Sequence, residues 1–308
     1  MRKINFILGT ILAVFFLISL QNGVLDAGIG KLLTGKMSSA ESAVFWHLRF
    51  PRSLLAILVG AALGLSGAAM QGLLRNPLAE SSVLGISSGA VLGAMTALYS
   101  GLTVWGIWIL PLGGFLGALA AAALVLIFCF RHTSLLGLIL AGTALNTLFF
   151  ALSSLLLSFS KNPYAVLEVI YWQMGSFENR TLAQTAAVAP WIILGSWMLF
   201  RTSSALQLLT LGEDVARSSG VSVSKTMRQV IIGTAVAVGA AVSICGLIGF
   251  VGLLVPHIVR PWVGYDPGKL LFPSALAGAV FLLMADTFCR LSVFPVELKI
   301  GVLTALLG

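Results

Sequence analysis

Side chains able to do covalent or metal chemistry are few and scattered in this sequence. His47, His132 and His257 stand far apart, and Cys129, Cys245 and Cys289 form no CxxC pair or Cys/His cluster. There is no P-loop GxxxxGK[ST], no HExxH and no GxSxG. No catalytic residue, metal site or cofactor is therefore expected, and any ATP-driven work must come from another chain. What remains is the chemistry of charge. Arg75 and Glu80 interrupt GLLRNPLAESSVLGISSGA (72–90), Glu213, Asp214 and Arg217 cluster in LGEDVARSSGV (211–221), and Arg49 and Arg52 frame RFPR. Such groups dock partners, pair with one another or relay ions. Glu80, Glu168, Glu178, Glu213, Asp214, Asp266 and Glu297 fall at the ends of apolar runs or between them, whereas Asp286 is the exception. An ionisable group inside a span costs about 2.5–3.5 kcal/mol on insertion scales, so Asp286 is the candidate for a proton or ion relay. The scarcity of others favours a pathway driven from outside.

The elements that must position these groups are membrane spans. The 308 residues are 58% hydrophobic and 9% charged, with a mean hydropathy of +1.04, against about 25% charged in a soluble domain. Apolar runs near 53–74, 104–130, 135–159, 229–256 and 270–289 reach the length of about 20 residues needed to cross a bilayer. Shorter ones lie near 5–20, 83–99, 185–200 and 300–308. The fold class is all-α and polytopic; the ten-residue alternation of a membrane β-barrel is absent. MRKINFILGTILAVFFLISL lacks a small-x-small cleavage site and reads as a retained first helix. The net charge of +8 is spread singly between spans and forms no stripe, which argues for lipid headgroups and partner proteins over nucleic acid. With the N-terminus inside and Arg260 assigned outside, the basic residues divide nine against nine, so charge bias does not orient the chain.

Two connections are long enough to do more than connect: residues 22–52, ending in HLRFPR, and residues 202–228. Gly212 and Gly220 bracket a helix-length stretch in the second, as a short capped helix requires. A polar helix between spans must lie in water or against a soluble partner, because hydrocarbon cannot satisfy it. Residues 161–181 mix Tyr164, Tyr171 and Trp172 with Glu168, Glu178 and Arg180, which suits a helix lying along the membrane surface.

RFPRSLLAILVGAALGLSGAAMQGLLRNPLAESSVLGISSGA (49–90), LGEDVARSSGV (211–221), GLIGFVGLLVPHIVRPWVGYDPGKLLFPSALAGA (246–279) and ELKIGVLTALLG (297–308) resemble the FecCD family. These are permease subunits of binding-protein-dependent ABC importers for iron-siderophore complexes, haem, cobalamin and, in some members, molybdate or tungstate. The resemblance covers nearly the whole chain. It implies a single permease domain of about ten helices, a homodimer, two cytoplasmic ATP-binding subunits and an external substrate-binding protein. It also implies a bacterial inner-membrane location with the N-terminus in the cytoplasm. Carried over residue by residue, it makes Arg49, Arg52 and Arg290 the contacts for carboxylates of the binding protein. Glu213, Asp214, Ala216, Arg217 and Gly220 become the ATPase-coupling segment. Asn76, Pro77 and Leu78, with Thr133 and Ser134 as a second layer, become the inner gate, in a hairpin that keeps Arg75 and Glu80 out of the hydrocarbon.

GFVGLLVPHIVR is read as a helix broken near Pro256 at the outer surface, with YDPGK (265–269) as the turn back and no chemistry assigned to His257. Two features depart from the family pattern. Lys299 follows Glu297 and Leu298 where a proline is usual, and the last apolar run supplies about nine of the roughly 20 residues a span needs, so the final helix is expected to be incomplete. The leading expectation is an iron-siderophore permease. An ion-coupled secondary carrier working through Asp286 is the alternative of another class.

Overall fold

The computed structural model describes residues 2–22, 29–33, 35, 37–129, 135–160, 163–290 and 298–308. Among them every regular element is helical. The principal helices are α1 (Arg2–Gln21), α2 (Phe50–Leu74), α3 (Ile86–Tyr99), α4 (Ile109–Cys129) and α5 (Leu135–Ser158). They continue with α6 (Leu182–Phe200), α7 (Val223–Cys245), α8 (Val251–Val259), α9 (Pro267–Cys289) and α10 (Ile300–Leu307). Seven helices of the described residues are long and apolar enough to cross a membrane, while α3 and α8 are shorter.

The core of the bundle is the antiparallel pair α2 and α9. A Cβ at Gly60 would lie 2.3 Å from the Gly278 carbonyl oxygen, and one at Gly64 would lie 2.2 Å from that of Ser274. Small residues thus let the two backbones touch, which in lipid supplies the packing that the hydrophobic effect does not. α2 is buried along almost its whole length, and α7 joins it at the centre. α1, α4 and α5 lie outside, with most of their surface exposed.

Antiparallel packing gives the bundle two charged ends. At one, the start of α2 and the end of α9 meet the end of α1, where Arg290 donates to the Ser19 carbonyl at 3.3 Å. At the other, the end of α2 and the start of α9 meet a short helix, Ser203–Leu209. Ser203 there donates to the Gly268 carbonyl at 3.0 Å and Gln207 to Asp266 at 2.8 Å.

One sequence expectation gains detail here and a second is corrected. First, the turn expected to keep Arg75 and Glu80 out of the hydrocarbon leaves Arg75 exposed and packs Glu80 against protein. Arg75 stops α2 in the left-handed region (φ 49°), and the chain then folds back among the helices. The Glu80 Cβ comes within 3.7 Å of a Cβ placed on Gly252, which packs on Gly67 two turns before the end of α2. The Val83 carbonyl stands only 2.1 Å from a Cβ placed on Gly142, two turns into α5. The fourteen residues of α3 span about 21 Å, short of the roughly 30 Å hydrocarbon. The re-entrant segment adds buried length before α3. Irregular backbone at this depth is tolerated because protein surrounds it.

Second, Pro256 does not break its helix, and the turn that follows is not at the Arg52 end. α8, capped by Phe250 (φ 66°), runs from Val251 through Pro256 to Val259 and continues as a 3₁₀ turn, Arg260–Val263. Arg260 donates to Gln71 and Asp266 accepts from Gln207, which places this turn at the Arg75 end. Proline fell in the sequence where a kink was expected, but the chain reverses earlier, at Gly246 (φ 74°) and Phe250.

Because carbonyl oxygen lies where a side chain at Gly64 would go, Gly64→Val should destabilise the purified protein by about 1–3 kcal/mol or more. Gly9→Val on α1, with nothing within 4 Å of the added carbon, should leave the melting temperature near wild type. Thermal unfolding in one detergent checks both.

Candidate functional site

At the Arg52 end, three helices converge on one carboxylate. Asp286, on the last turn of α9, has a side chain with no exposed surface. Its Oδ1 accepts from Arg52 Nε at 2.9 Å and lies 2.8 Å from Arg52 Nη2; its Oδ2 lies 3.1 Å from Arg290 Nε. Arg290 continues to Ser19 of α1, whose hydroxyl stands 2.6 Å from that of Ser53. Arg49 is also buried, donating to the Leu20 and Gln21 carbonyls at 3.3 and 3.2 Å. There it offsets the negative end of the α1 dipole. The structure therefore gathers all three arginines predicted from the sequence, but joins only Arg52 and Arg290 through Asp286.

At the Arg75 end lies the helix Glu213–Ser218, preceded by Gly212 (φ 112°) and followed by Gly220 (φ 83°). Ala216 is fully buried and fixes its inner face, while Asp214, Val215 and Arg217 are exposed. Leu211, also exposed, extends that surface into a mixed apolar and charged one. Glu213 lies 3.4 Å from Arg217 and 3.6 Å from Arg75. The charged helix thus touches the residue that opens the re-entrant segment. Asn76, Pro77 and Leu78 are exposed there, and the Asn76 side chain accepts from the Leu78 N–H at 2.9 Å, fixing the turn. Thr133 and Ser134 lie outside the described residues.

One feature was not anticipated from the sequence. Thr143, Thr147, Ser154 and Ser158 lie along one exposed side of α5, with Asn146 beside them. The four hydroxyls are satisfied within the helix, each donating to a carbonyl three or four residues back. The Asn146 amide has no such partner among the described residues. An unsatisfied amide facing hydrocarbon is costly, so this side of α5 calls for water or another protein surface. The signal was available in the spacing, but four short polar side chains in an apolar run did not announce a common side.

Residues 10–308 match the FecCD transport family. The chain belongs to that family. The ABC transporter permease protein YvrB of Bacillus subtilis, itself uncharacterized, is 40% identical over 270 residues, covering 86% of this chain and 76% of the relative. The vitamin B12 import system permease protein BtuC of Salmonella typhi is 40% identical over 286 residues, covering 92% and 87%. Among solved structures, an inward-facing conformation of a metal-chelate type ABC transporter superposes with a TM-score of 0.90 at 35% identity, covering 100% of this chain and 96% of that one. This FecCD chain is thus a permease subunit of the ABC importer class to which BtuC belongs, and not a secondary carrier.

Lys299, the departure from the FecCD pattern, has a partner: its ammonium donates to Glu178 at 2.6 Å, clipping the start of α10 to the segment before α6. That bond holds the Glu178 carboxyl below its ordinary 4.5. A depressed value means that the pair stabilises the fold above 4.5 and that the contribution is lost as pH falls through the folded-state value. Wild type should therefore melt above Glu178→Gln at pH ~7. Melting curves taken down the pH scale should show the gap closing below 4.5.

Proposed function

We propose that this chain is one half of a homodimeric inner-membrane permease that passes a metal chelate between its two subunits. A substrate-binding protein delivers the chelate at the Arg52 end, and two ATP-binding subunits drive the cycle from the Arg75 end. The observation that carries this reading is the polar side of α5, whose exposed Asn146 amide is costly in lipid and would find partners beside a second copy and a water-filled path. Sidedness follows from charge. With Arg260 at the Arg75 end, the basic residues among the described ones are the more numerous at that end, which marks it as cytoplasmic.

The exposed side chains of Asp214 and Arg217, with Glu213 and Gly220 beside them and buried Ala216 seating the helix, suit a groove on the ATPase, and the contact of Glu213 with Arg75 would carry motion to Asn76, Pro77 and Leu78 at the gate. The chain itself then does no covalent chemistry. The 35% identity to a metal-chelate transporter supports the cargo class. An iron-siderophore complex is the first candidate, with cobalamin, haem and molybdate or tungstate as the others. The similarity to BtuC weighs for cobalamin.

Reconstituted with its ATP-binding subunits and its binding protein, the permease should take up cargo only with ATP. Arg217→Glu should abolish uptake while leaving membrane insertion normal, and Leu78→Trp should change the uptake rate while the ATPase subunits still assemble. Uptake independent of the ATPase would overturn the proposal. Titrating the binding protein with ferric siderophore, cobalamin, haem and molybdate separates the cargoes.

A further inference from the structure

We infer that Asp286 is a positioning residue, whose buried carboxylate holds Arg52 and Arg290 in one fixed arrangement for the acidic groups of the delivering protein. The inference rests on the docking role proposed above for the arginines. Asp286 cannot meet a partner itself, because its side chain has no exposed surface, whereas Arg52 and Arg290 keep 12% and 10% of theirs. What it can do is fix where they stand. Arg52 grips the carboxylate through two nitrogens, Nε at 2.9 Å from Oδ1 and 3.2 Å from Oδ2 and Nη2 at 2.8 Å from Oδ1, so its plane is set. Arg290 sits one turn beyond Asp286 on the same helix and reaches Oδ2 at 3.1 Å.

The frame behind them is stiff. Arg52 stands on α2 and Asp286 on α9, and these are the two helices whose backbones touch at Gly60 and Gly278. The far side of Arg290 is held by the Ser19 carbonyl and hydroxyl, and that hydroxyl is tied to Ser53 on α2. Two guanidinium groups this close repel each other, and without the carboxylate they would separate. Their planar forks are worth most when ordered in advance, since less rotamer freedom is then lost on binding.

A relay through Asp286 is a poorer use of the same group. No other ionisable side chain on α2 or α9 lies between the Arg52–Asp286 pair and the opposite end, where Lys269 and Arg75 stand. A proton or ion would have no next site on either helix.

The two functions that a buried acid can serve here, holding the fold and holding the arginines, differ in binding kinetics. The assembled transporter in lipid nanodiscs is bound to an immobilised layer of its substrate-binding protein, and both rate constants are read. Asp286→Asn should raise the dissociation rate about tenfold. Its association rate should be equal or faster, because removing a negative charge makes this end more positive. Asp286→Glu keeps the charge and the pairing but shifts both forks, so it should also speed dissociation while melting near wild type. An unchanged dissociation rate in Asp286→Glu, with Arg52→Ala and Arg290→Ala each weakening binding, overturns the positioning role and leaves docking standing. Unchanged binding in both arginine variants overturns docking and this inference together.

Discussion

Everything in this chain follows from the cost of leaving charge and unpaired backbone in hydrocarbon. Only 9% of the residues are charged, and the structure moves most of them to the two ends of the bundle. There they pair: Arg52 and Arg290 with Asp286 at one end, Arg75 and Arg217 with Glu213 at the other. The same constraint explains the middle. Helices with little polar surface have few specific contacts to offer, so they are held by close backbone approach at glycine.

The α2–α9 pair is where these demands meet. It carries the arginine cluster at its Arg52 end and, at the other, receives the helix Ser203–Leu209 that precedes the charged Glu213–Ser218 helix. Gly60, Gly64 and Gly278 leave no slack between the two helices. A displacement at one end therefore has a stiff element to act on. The segment after Arg75 is different, being re-entrant, irregular and exposed at Leu78, with a direct contact from Arg75 to Glu213. Stiffness in the pair and irregularity beside it suit the gate proposed at Asn76, Pro77 and Leu78.

Asp286 shows how one residue changes meaning with its surroundings. Read from the sequence it is the lone acid in an apolar run, the one place where a relay calls for a test in a pattern that otherwise disfavours one. Its spacing of four from Arg290 was legible, since such pairs share a helix side, but Arg52 lies 234 positions away. Glu178 and Lys299 repeat the lesson, for nothing in the string joins residues 121 positions apart.

The sequence by itself determined the class: long apolar runs must be membrane helices because they exceed what any loop could bury, and the motifs from 49 to 90 and 211 to 279 carry the family. It also determined the short charged helix at 213–218, because its glycine brackets and charge are local. Only the tertiary structure decided which helix ends share a side. That is why Arg260 and YDPGK moved to the opposite end, and why Glu80 was drawn inward with the re-entrant segment. Hydropathy measures whether a residue tolerates lipid, and does so one segment at a time. The direction of a short helix such as α8, the depth of a turn beside it and the partner of a buried charge depend on what other segments bring to the same place.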